Sequence, residues 1–139
     1  MSKEVVRTEA APGPYQGAPY SQAIRANGLV FVAGQLGLEP GGAGLVEGGI
    51  GPQTEQALRN LGAILEAAGS SLASIVKTTV FLQRLDDFAG MNEVYARHLG
   101  ERPPARSTIE VAKLPSGALV EIEAIAILAA GKAGGRRRG

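Results

Sequence analysis

A two-residue turn signal near the N-terminus is the feature that most constrains the fold. In the segment SQAIRANGLVFVAGQ, Asn27 and Gly28 separate two runs of strand-forming residues. Asn-Gly is the strongest short sequence signal for a β-hairpin. The second run, Leu29 to Ala33, is nearly all apolar, which is typical of a strand covered on both faces. The chain is therefore expected to contain a sheet with a buried strand.

The rest of the chain alternates between strand and helix patterns. Residues 4–8 predict a short strand, and the β-branched residues 74–83 predict a longer one. Apolar side chains recur at helical spacing from Pro52, which suits the first helical position, to Gly69, which suits the C-terminal cap. A second helix is predicted from Asp86 or Asp87, as capping residues, to about residue 99.

The segment PPARSTIEVAKLPSGALVEIEAIAIL predicts two further strands joined by a turn at residues 114–117. Paired as a hairpin with a two- or four-residue loop, they place five polar side chains on one face of the sheet, whereas a three-residue loop reverses the relation between the strands. Charges in a buried strand pair are costly unless they are paired or functional. Both a structural salt bridge and a carboxylate-binding cleft fit this set, which is Arg106, Thr108, Glu110, Glu121 and Glu123.

The order of elements is strand, hairpin, helix, strand, helix, hairpin. It predicts an α+β domain of two layers, a mixed sheet with two helices on one face. The strands carry apolar residues on both faces, so the second face needs a cover, and a homo-oligomer that packs sheet against sheet is the simplest one. Residues 1–128 form one predicted domain, and the basic segment 129–139 is expected to be a disordered tail.

Composition excludes several kinds of site. The chain has 139 residues with no cysteine and one histidine, His98, so thiol chemistry and a His-rich metal centre are excluded. Neither a signal peptide nor a run long enough to cross a bilayer is evident, which predicts a cytoplasmic protein without membrane contact. Ten of the fourteen Lys and Arg residues remain when the tail is set aside, against thirteen acids, so residues 1–128 carry a net charge of −3. This acidity, with 4% aromatic residues, argues against a nucleic-acid surface.

Four segments together resemble the RidA/YjgF/L-PSP family of enamine/imine deaminases. The segments are APYSQAIRANGLVFVAGQ, LEAAGSSLASIVKTTVFL, DDFAGMNEVYARHLG and PPARSTIEVAKLPSGALVEIEAIAI, and the resemblance runs in unbroken order from about residue 10 to residue 128. It implies a chorismate-mutase-like fold and a homotrimer whose sheets form an inner barrel, with three sites in the clefts between subunits. It also implies that no metal or organic cofactor is needed, because an imine is already electrophilic.

The resemblance gives individual residues a role. Arg106, in the PARS segment, would hold the substrate carboxylate, and Glu121 would orient the attacking water. The backbone amides of Gly34 and Thr108 would assist the arginine. Many family members have cysteine where this chain has Thr108, but a backbone N–H is retained there, so the anion site is expected to persist. Glu123 is interpreted as part of the scaffold.

Three further positions line the predicted pocket. Asn92, in the second helix, would lie near the cleft. Ala33 stands where many members have a serine or threonine, which predicts a change in substrate preference or rate rather than loss of binding. A tyrosine of the PYSQ segment would complete the wall, and Tyr20 is preferred to Tyr15, because Tyr15 needs an insertion before the strand and is interpreted as a loop residue.

The sequence therefore predicts an enzyme that hydrolyses reactive 2-imino acids, such as 2-iminobutanoate and 2-iminopropanoate, to 2-oxo acids and ammonia. Arg106, Glu121 and Tyr20 are its candidate catalytic residues. One alternative is a non-catalytic trimer that binds small carboxylates or protects other proteins. Another is an RNA-binding protein or ribonuclease, against which the acidic charge argues.

Overall fold

The protein is described by a computed structural model that covers residues 2–129. Six strands form one mixed sheet in the order β1-β2-β3-β6-β4-β5, in which β4 and β5 are parallel and the other neighbours antiparallel. Two helices share a single apolar core with one face of this sheet, which confirms the predicted α+β architecture. The elements are β1 Glu4–Val6, β2 Ala23–Ala26, β3 Leu29–Leu36, α1 Ile50–Ala67, β4 Ile75–Leu82, α2 Phe88–Leu99, β5 Ala105–Glu110 and β6 Val120–Ile127.

The hairpin of β2 and β3 is present as predicted. Ala26 pairs with Leu29 across a two-residue turn, and its central residues Asn27 and Gly28 have φ angles of 55° and 81°. Two consecutive positive φ angles define the turn type whose twist matches that of the flanking strands. The Asn-Gly pair therefore fixes the register of the first half of the sheet.

Helix α1 begins two residues earlier than predicted. Gly49 occupies the N-cap, so Pro52 is the third helical residue and not the first. A proline is tolerated throughout the first turn, because the N–H groups there have no intrahelical partner. The predicted C-terminal end is confirmed, since Gly69, with a φ of 87°, directly follows the C-cap.

Helix α2 is preceded by a single 3₁₀ turn that contains Asp86. Asp87 occupies the N-cap position, but its side chain makes no capping hydrogen bond and lies 3.6 Å from the guanidinium of Arg84 instead. Near the other end of α2, His98 Nε2 is 2.8 Å from Glu55 Oε1 of α1. The histidine therefore joins the two helices.

The prediction that the last two strands form a hairpin is wrong. β4 lies between β5 and β6 and pairs with both. In β4, Thr78 is opposite Arg106 of β5 and Ala124 of β6, whereas Phe81 is opposite Glu121 of β6. Opposed residues share a face, and residues three apart along a strand do not, so Arg106 and Glu121 lie on opposite faces of the sheet.

The other three members of the predicted polar face divide in the same way. Thr108 and Glu110 follow Arg106 at intervals of two and share its face, the one toward the helices. Glu123 shares the other face with Glu121. Glu110 accepts a hydrogen bond from the backbone N–H of Leu85, 2.8 Å away. Its role in the structure is therefore to hold the loop before α2.

The two faces of the sheet have different environments. Alternate residues of β6 face the helices, and Val120, Ile122 and Ala126 are fully buried. The opposite face, which we call the open face, carries large apolar side chains that are 42–48% exposed, namely Phe31, Ile109 and Ile127. The expectation of an uncovered apolar face is thus met in the single chain.

Two sequence predictions, the disordered tail and the cytoplasmic location, are not tested by the described residues. The proposed basic tail, residues 129–139, lies beyond the described residues except for Ala129. Within residues 2–129 no helix combines the length and the apolar character needed to cross a membrane. The cytoplasmic location stays a prediction.

Candidate active site

A cleft of about 350 Å³ lies at the end of β3 and contains several of the predicted site residues. We call it the Glu121 cleft, and its polar wall consists of Tyr15, Tyr20, Gly34 and Glu121. Ala33 lines it as well. The structure therefore brings together four of the predicted site residues, Tyr20, Ala33, Gly34 and Glu121, although they come from a loop, from β3 and from β6.

An irregularity in β3 shapes this cleft. The pairing of β3 with β6 shifts between Val32 and Gln35, so Ala33 and Gly34 have no direct partner in β6. The carboxylate of Glu121 lies against the Cα of Gly34, and a Cβ atom built there would be 2.8 Å from Glu121 Cδ and would overlap one carboxylate oxygen. Only glycine leaves room for the acid at this position.

The surroundings of Glu121 raise the pKa of its carboxyl. Burial raises the pKa of its carboxyl, because the charged form loses hydration, and the negative charge of Glu123 on the same face raises it further. A carboxyl whose pKa moves toward neutrality is a better general acid and base near pH 7 than an ordinary glutamate. The environment of Glu121 therefore fits the predicted role in handling water and protons.

Sequence reasoning preferred Tyr20 to Tyr15 as the pocket tyrosine, but both of them line the cleft. The backbone N–H of Tyr15 donates a hydrogen bond to the phenol oxygen of Tyr20, 2.5 Å away, and the Tyr15 hydroxyl shares one with Ser116 Oγ. The repeated Pro-Tyr pair in GPYQGAPYSQ places the two tyrosines five residues apart and made both of them candidates, but the contact with Ser116 is not evident from the sequence.

Arg106 occupies a second region, at the outer edge of the sheet beside α2. Its guanidinium carbon lies 4.7 Å from the centre of the Tyr95 ring and 5.6 Å from that of Phe88, distances typical of cation–π contacts. The Tyr95 hydroxyl shares a 2.7 Å hydrogen bond with Thr78 Oγ1, which holds the ring in place. Among residues 2–129 no ion pair includes Arg106, so the salt-bridge alternative finds no support.

The backbone of β5 adds a donor to this region. The N–H of Val111 donates to Leu82 O in β4, and in a parallel ladder alternate residues of a strand point their N–H groups to the same side. The N–H of Ile109 therefore also points to β4, and that of Thr108 points away, to the free edge of the sheet. An anion held by Arg106 at this edge can accept a hydrogen bond from Thr108.

Asn92 belongs to the Arg106 region rather than to the Glu121 cleft. Phe88, Asn92 and Tyr95 fall within about 60° around the axis of α2, and the first and third of them contact Arg106. The Asn92 Oδ1 atom is buried and has no hydrogen-bond partner among the described residues. Such an acceptor is costly unless a ligand or a water pairs with it.

The two regions are separate within one chain. Arg106 and Glu121 lie two strands apart and are offset by three residues along the strand direction. This offset places their Cα atoms roughly 14 Å from each other, with the two side chains on opposite faces of the sheet. No arginine rotamer bridges that distance through the sheet. Within the described part of the chain there is also no cluster of three potential metal ligands.

The fold, the Glu121 cleft and the Arg106 region together define the class of protein. It is a small α+β domain with a mixed six-stranded sheet, two helices on one face and polar sites at the margins of the sheet. The chain belongs to the family described as Endoribonuclease L-PSP, whose model matches residues 8–128.

Individual relatives agree with this assignment. A RutC family protein of Pyrococcus horikoshii is 53% identical over 124 residues, covering 89% of this chain and 97% of the relative. The human 2-iminobutanoate/2-iminopropanoate deaminase is 42% identical and covers 91% of each chain. The crystal structure of Escherichia coli TdcF with bound serine matches with a TM-score of 0.83 at 38% identity, over 91% of this chain and 99% of that one.

The contact between Gly34 and Glu121 leads to a first prediction. Gly34→Ala is expected to displace the Glu121 carboxylate from the floor of the cleft, because the added methyl group occupies its position. A crystal structure of the variant checks this. Gly51→Ala is the matched control, since a Cβ there meets Val94 at an ordinary 3.9 Å. A Glu121 side chain unmoved in Gly34→Ala would contradict the prediction.

Proposed function

We propose that this protein hydrolyses 2-imino acids, such as 2-iminobutanoate and 2-iminopropanoate, to 2-oxo acids and ammonia. The proposal is carried by the presence of two groups in one chain. One is an arginine that lies against aromatic rings and has no ion pair among the described residues, and the other is a half-buried glutamate with a raised pKa. The first fits a carboxylate, and the second fits a water molecule. Support also comes from the human relative, which is named for these two substrates.

The catalytic site is composed of residues from two chains. Because Arg106 and Glu121 cannot meet in one protomer, the Arg106 region of one copy faces the Glu121 cleft of a neighbour. The exposed apolar residues of the open face support the assembly, since they need a cover that a second and third sheet provide. A homotrimer closed by a three-fold axis repeats this contact three times.

In this arrangement Arg106 and the Thr108 N–H hold the substrate carboxylate with charge-assisted hydrogen bonds. The imine carbon then faces the water next to Glu121. As the water oxygen attacks that carbon, the carboxylate of Glu121 accepts a proton and returns it to the nitrogen, which gives a carbinolamine. A second transfer takes the hydroxyl proton to the amine as the C–N bond breaks, so ammonia and the 2-oxo acid leave.

The remaining pocket residues orient the substrate. Tyr20 lines the cleft. The Oδ1 of Asn92, which has no hydrogen-bond partner within residues 2–129, can accept a hydrogen bond from the nitrogen end of the substrate. No metal or organic cofactor takes part in these steps, because the imine carbon is electrophilic by itself.

A second candidate function is binding of small carboxylates without turnover. It is favoured by the bound serine in the crystal structure of the TdcF relative, because an amino acid presents the same carboxylate as a 2-imino acid. Turnover of a freshly generated imine separates the two functions, since a binding protein holds 2-oxobutanoate but does not speed the release of ammonia.

Removal of the carboxylate clamp tests the reaction. Arg106→Ala is expected to lower kcat/KM for 2-iminobutanoate, generated in the assay by a dehydratase, by roughly a hundredfold or more, because a charge-assisted bidentate contact is lost. Arg106→Lys keeps the charge but not the planar fork, so an intermediate loss of roughly tenfold is expected. Arg97→Ala is the control, because Arg97 is exposed and its one ion pair in the described part of the chain is with Glu93 at 3.8 Å. Full activity of Arg106→Ala would refute the proposal.

Mixing two inactive variants tests the composite site. Arg106→Ala and Glu121→Gln chains are unfolded together in equal amounts and refolded as mixed trimers. Each mixed trimer has one interface with both native residues, so about a quarter of the wild-type activity is expected to return. Refolding each variant alone is the control. If both residues acted within one chain, mixing would restore no activity.

The pH profile tests the role of Glu121. Its ionised form accepts the proton of water, so kcat/KM is expected to fall as the pH drops through a pKa above the ordinary glutamate value. Glu123→Gln removes the charge that raises this pKa, so the acid limb is expected to shift to lower pH without vanishing, because burial is the larger cause. Thr79→Ser, opposite Glu123 on the same face, is the control. An unchanged acid limb in Glu123→Gln would contradict the assignment.

A further inference from the structure

We propose that Tyr15 is a positioning residue that holds the phenol of Tyr20 in the orientation needed at the Glu121 cleft. The proposal rests on the hydrolase function proposed above and names a residue that the sequence pattern assigned to a loop. Its basis is a pair of hydrogen bonds that leave Tyr15 by two different groups, the backbone amide and the side-chain hydroxyl.

The first hydrogen bond acts on Tyr20 directly. The Tyr15 N–H donates to the Tyr20 phenol oxygen at 2.5 Å. A phenol that accepts a hydrogen bond at its oxygen keeps its own proton free to donate elsewhere. Tyr20 is 43% exposed and lines the cleft, so its O–H is free to donate to a ligand there.

The second hydrogen bond anchors the donor. The Tyr15 hydroxyl meets Ser116 Oγ at 2.5 Å, in the loop between β5 and β6. The Tyr15 ring packs against the small apolar cluster of Leu36, Leu114 and Ala118. Tyr15 is thereby attached to the body of the domain at a point 101 residues away in sequence, which fixes the position of the N-terminal loop.

The loops that contain Tyr15 and Ser116 share the same unusual backbone conformation. Each forms a single 3₁₀ turn, Tyr15–Gly17 in one and Pro115–Gly117 in the other. Each turn has a non-glycine residue with positive φ, Gln16 at 52° and Ser116 at 57°. Such conformations cost energy in an L-residue and persist where surrounding contacts compensate for them.

Two substitutions of Tyr15 separate the contribution of its backbone amide from that of its ring. Tyr15→Ala removes the ring and keeps the N–H, whereas Tyr15→Pro removes both. The residue before position 15 is compatible with a proline there, because Pro14 has φ −55° and ψ 134°, the conformation required of a residue that precedes proline. We expect kcat/KM for 2-iminobutanoate to be roughly two- to tenfold lower in Tyr15→Pro than in Tyr15→Ala, the loss of one hydrogen bond.

The same comparison in a Tyr20→Phe background identifies the mechanism. Once the phenol oxygen is gone, Tyr15→Pro and Tyr15→Ala are expected to have equal kcat/KM values, because the amide has no partner left to position. A purely structural role of the amide would produce the same ratio in both backgrounds. Equal activities in the native background, or an unchanged ratio in Tyr20→Phe, would overturn the proposal.

The Ser116 anchor has an independent test that leaves the backbone untouched. Tyr15→Phe and Ser116→Ala remove the same hydrogen bond from its two ends, so each is expected to lower kcat/KM by a similar two- to tenfold, and the double variant by no more than either one. Additive losses would overturn the anchoring. Trimer mass and thermal unfolding midpoints are measured for every variant, so that loss of folding is distinguished from loss of positioning.

The readouts separate failure of this inference from failure of the proposed function. If the wild-type protein binds 2-oxobutanoate in calorimetry but does not turn over the imine, the hydrolase function is wrong, and the Tyr15 comparisons are made on the dissociation constant of 2-oxobutanoate. If neither turnover nor binding is observed, both proposals are wrong.

Discussion

Strand β6 lies at the centre of the sheet, between β3 and β4, and buries one face against helix α1. Its side chains alternate strictly, so the apolar set that includes Ile122 and Ala124 cannot face the helices unless Glu121 and Glu123 face away. A slip of one residue would bury both acids and expose the core residues. The packing of α1 on β6 therefore fixes both the register of the sheet and the side on which the acidic group of the site appears.

This constraint explains why a glutamate with a raised pKa is stable in this fold. The energetic cost of partly burying Glu121, and of placing Glu123 beside it, is offset by the fully buried residues on the other face of the same strand. Gly34, in the irregular part of β3, also contributes, because it has no Cβ in the place that the carboxylate occupies. Stability and reactivity thus come from opposite faces of one strand.

The sequence allowed a large part of the fold to be predicted, because its signals are local. Asn27-Gly28 determines a turn by its own backbone preferences, and the period of the apolar residues in α1 determines a helix. The partner of a strand is not a local property. The turn residues at 115–117 predict a change of direction, but they do not determine which strand β6 pairs with. In the structure β6 lies next to β4, on the side away from β5. The partners of β6 lie 38 to 51 residues away in β4 and 85 to 98 residues away in β3, and this pairing depends on which apolar faces fit α1 and α2.

That error had a direct consequence for the site. A hairpin would have placed Arg106 and Glu121 on one face, within reach of each other, whereas the insertion of β4 separates them. The resemblance of the PARS and EIEAIA segments to a family with sites between subunits instead predicted that the two residues come from different chains. Their separation within the single chain is consistent with that prediction. Tyr15 escaped prediction for a similar reason, since its importance comes from Ser116, which lies 101 residues away.

A site divided between chains links chemistry to assembly. The same open-face residues that make a lone chain apolar on one side, such as Phe31 and Ile127, stand on the sheet that carries Glu121. Covering that face removes the apolar surface from water and, in the same step, is proposed to bring a neighbour's Arg106 to the acid. A dissociated chain then has an arginine without its water-holding partner and a glutamate without a substrate clamp. On this proposal, binding at either half alone does not lead to hydrolysis, and the oligomer serves the chemistry as well as the stability of the protein.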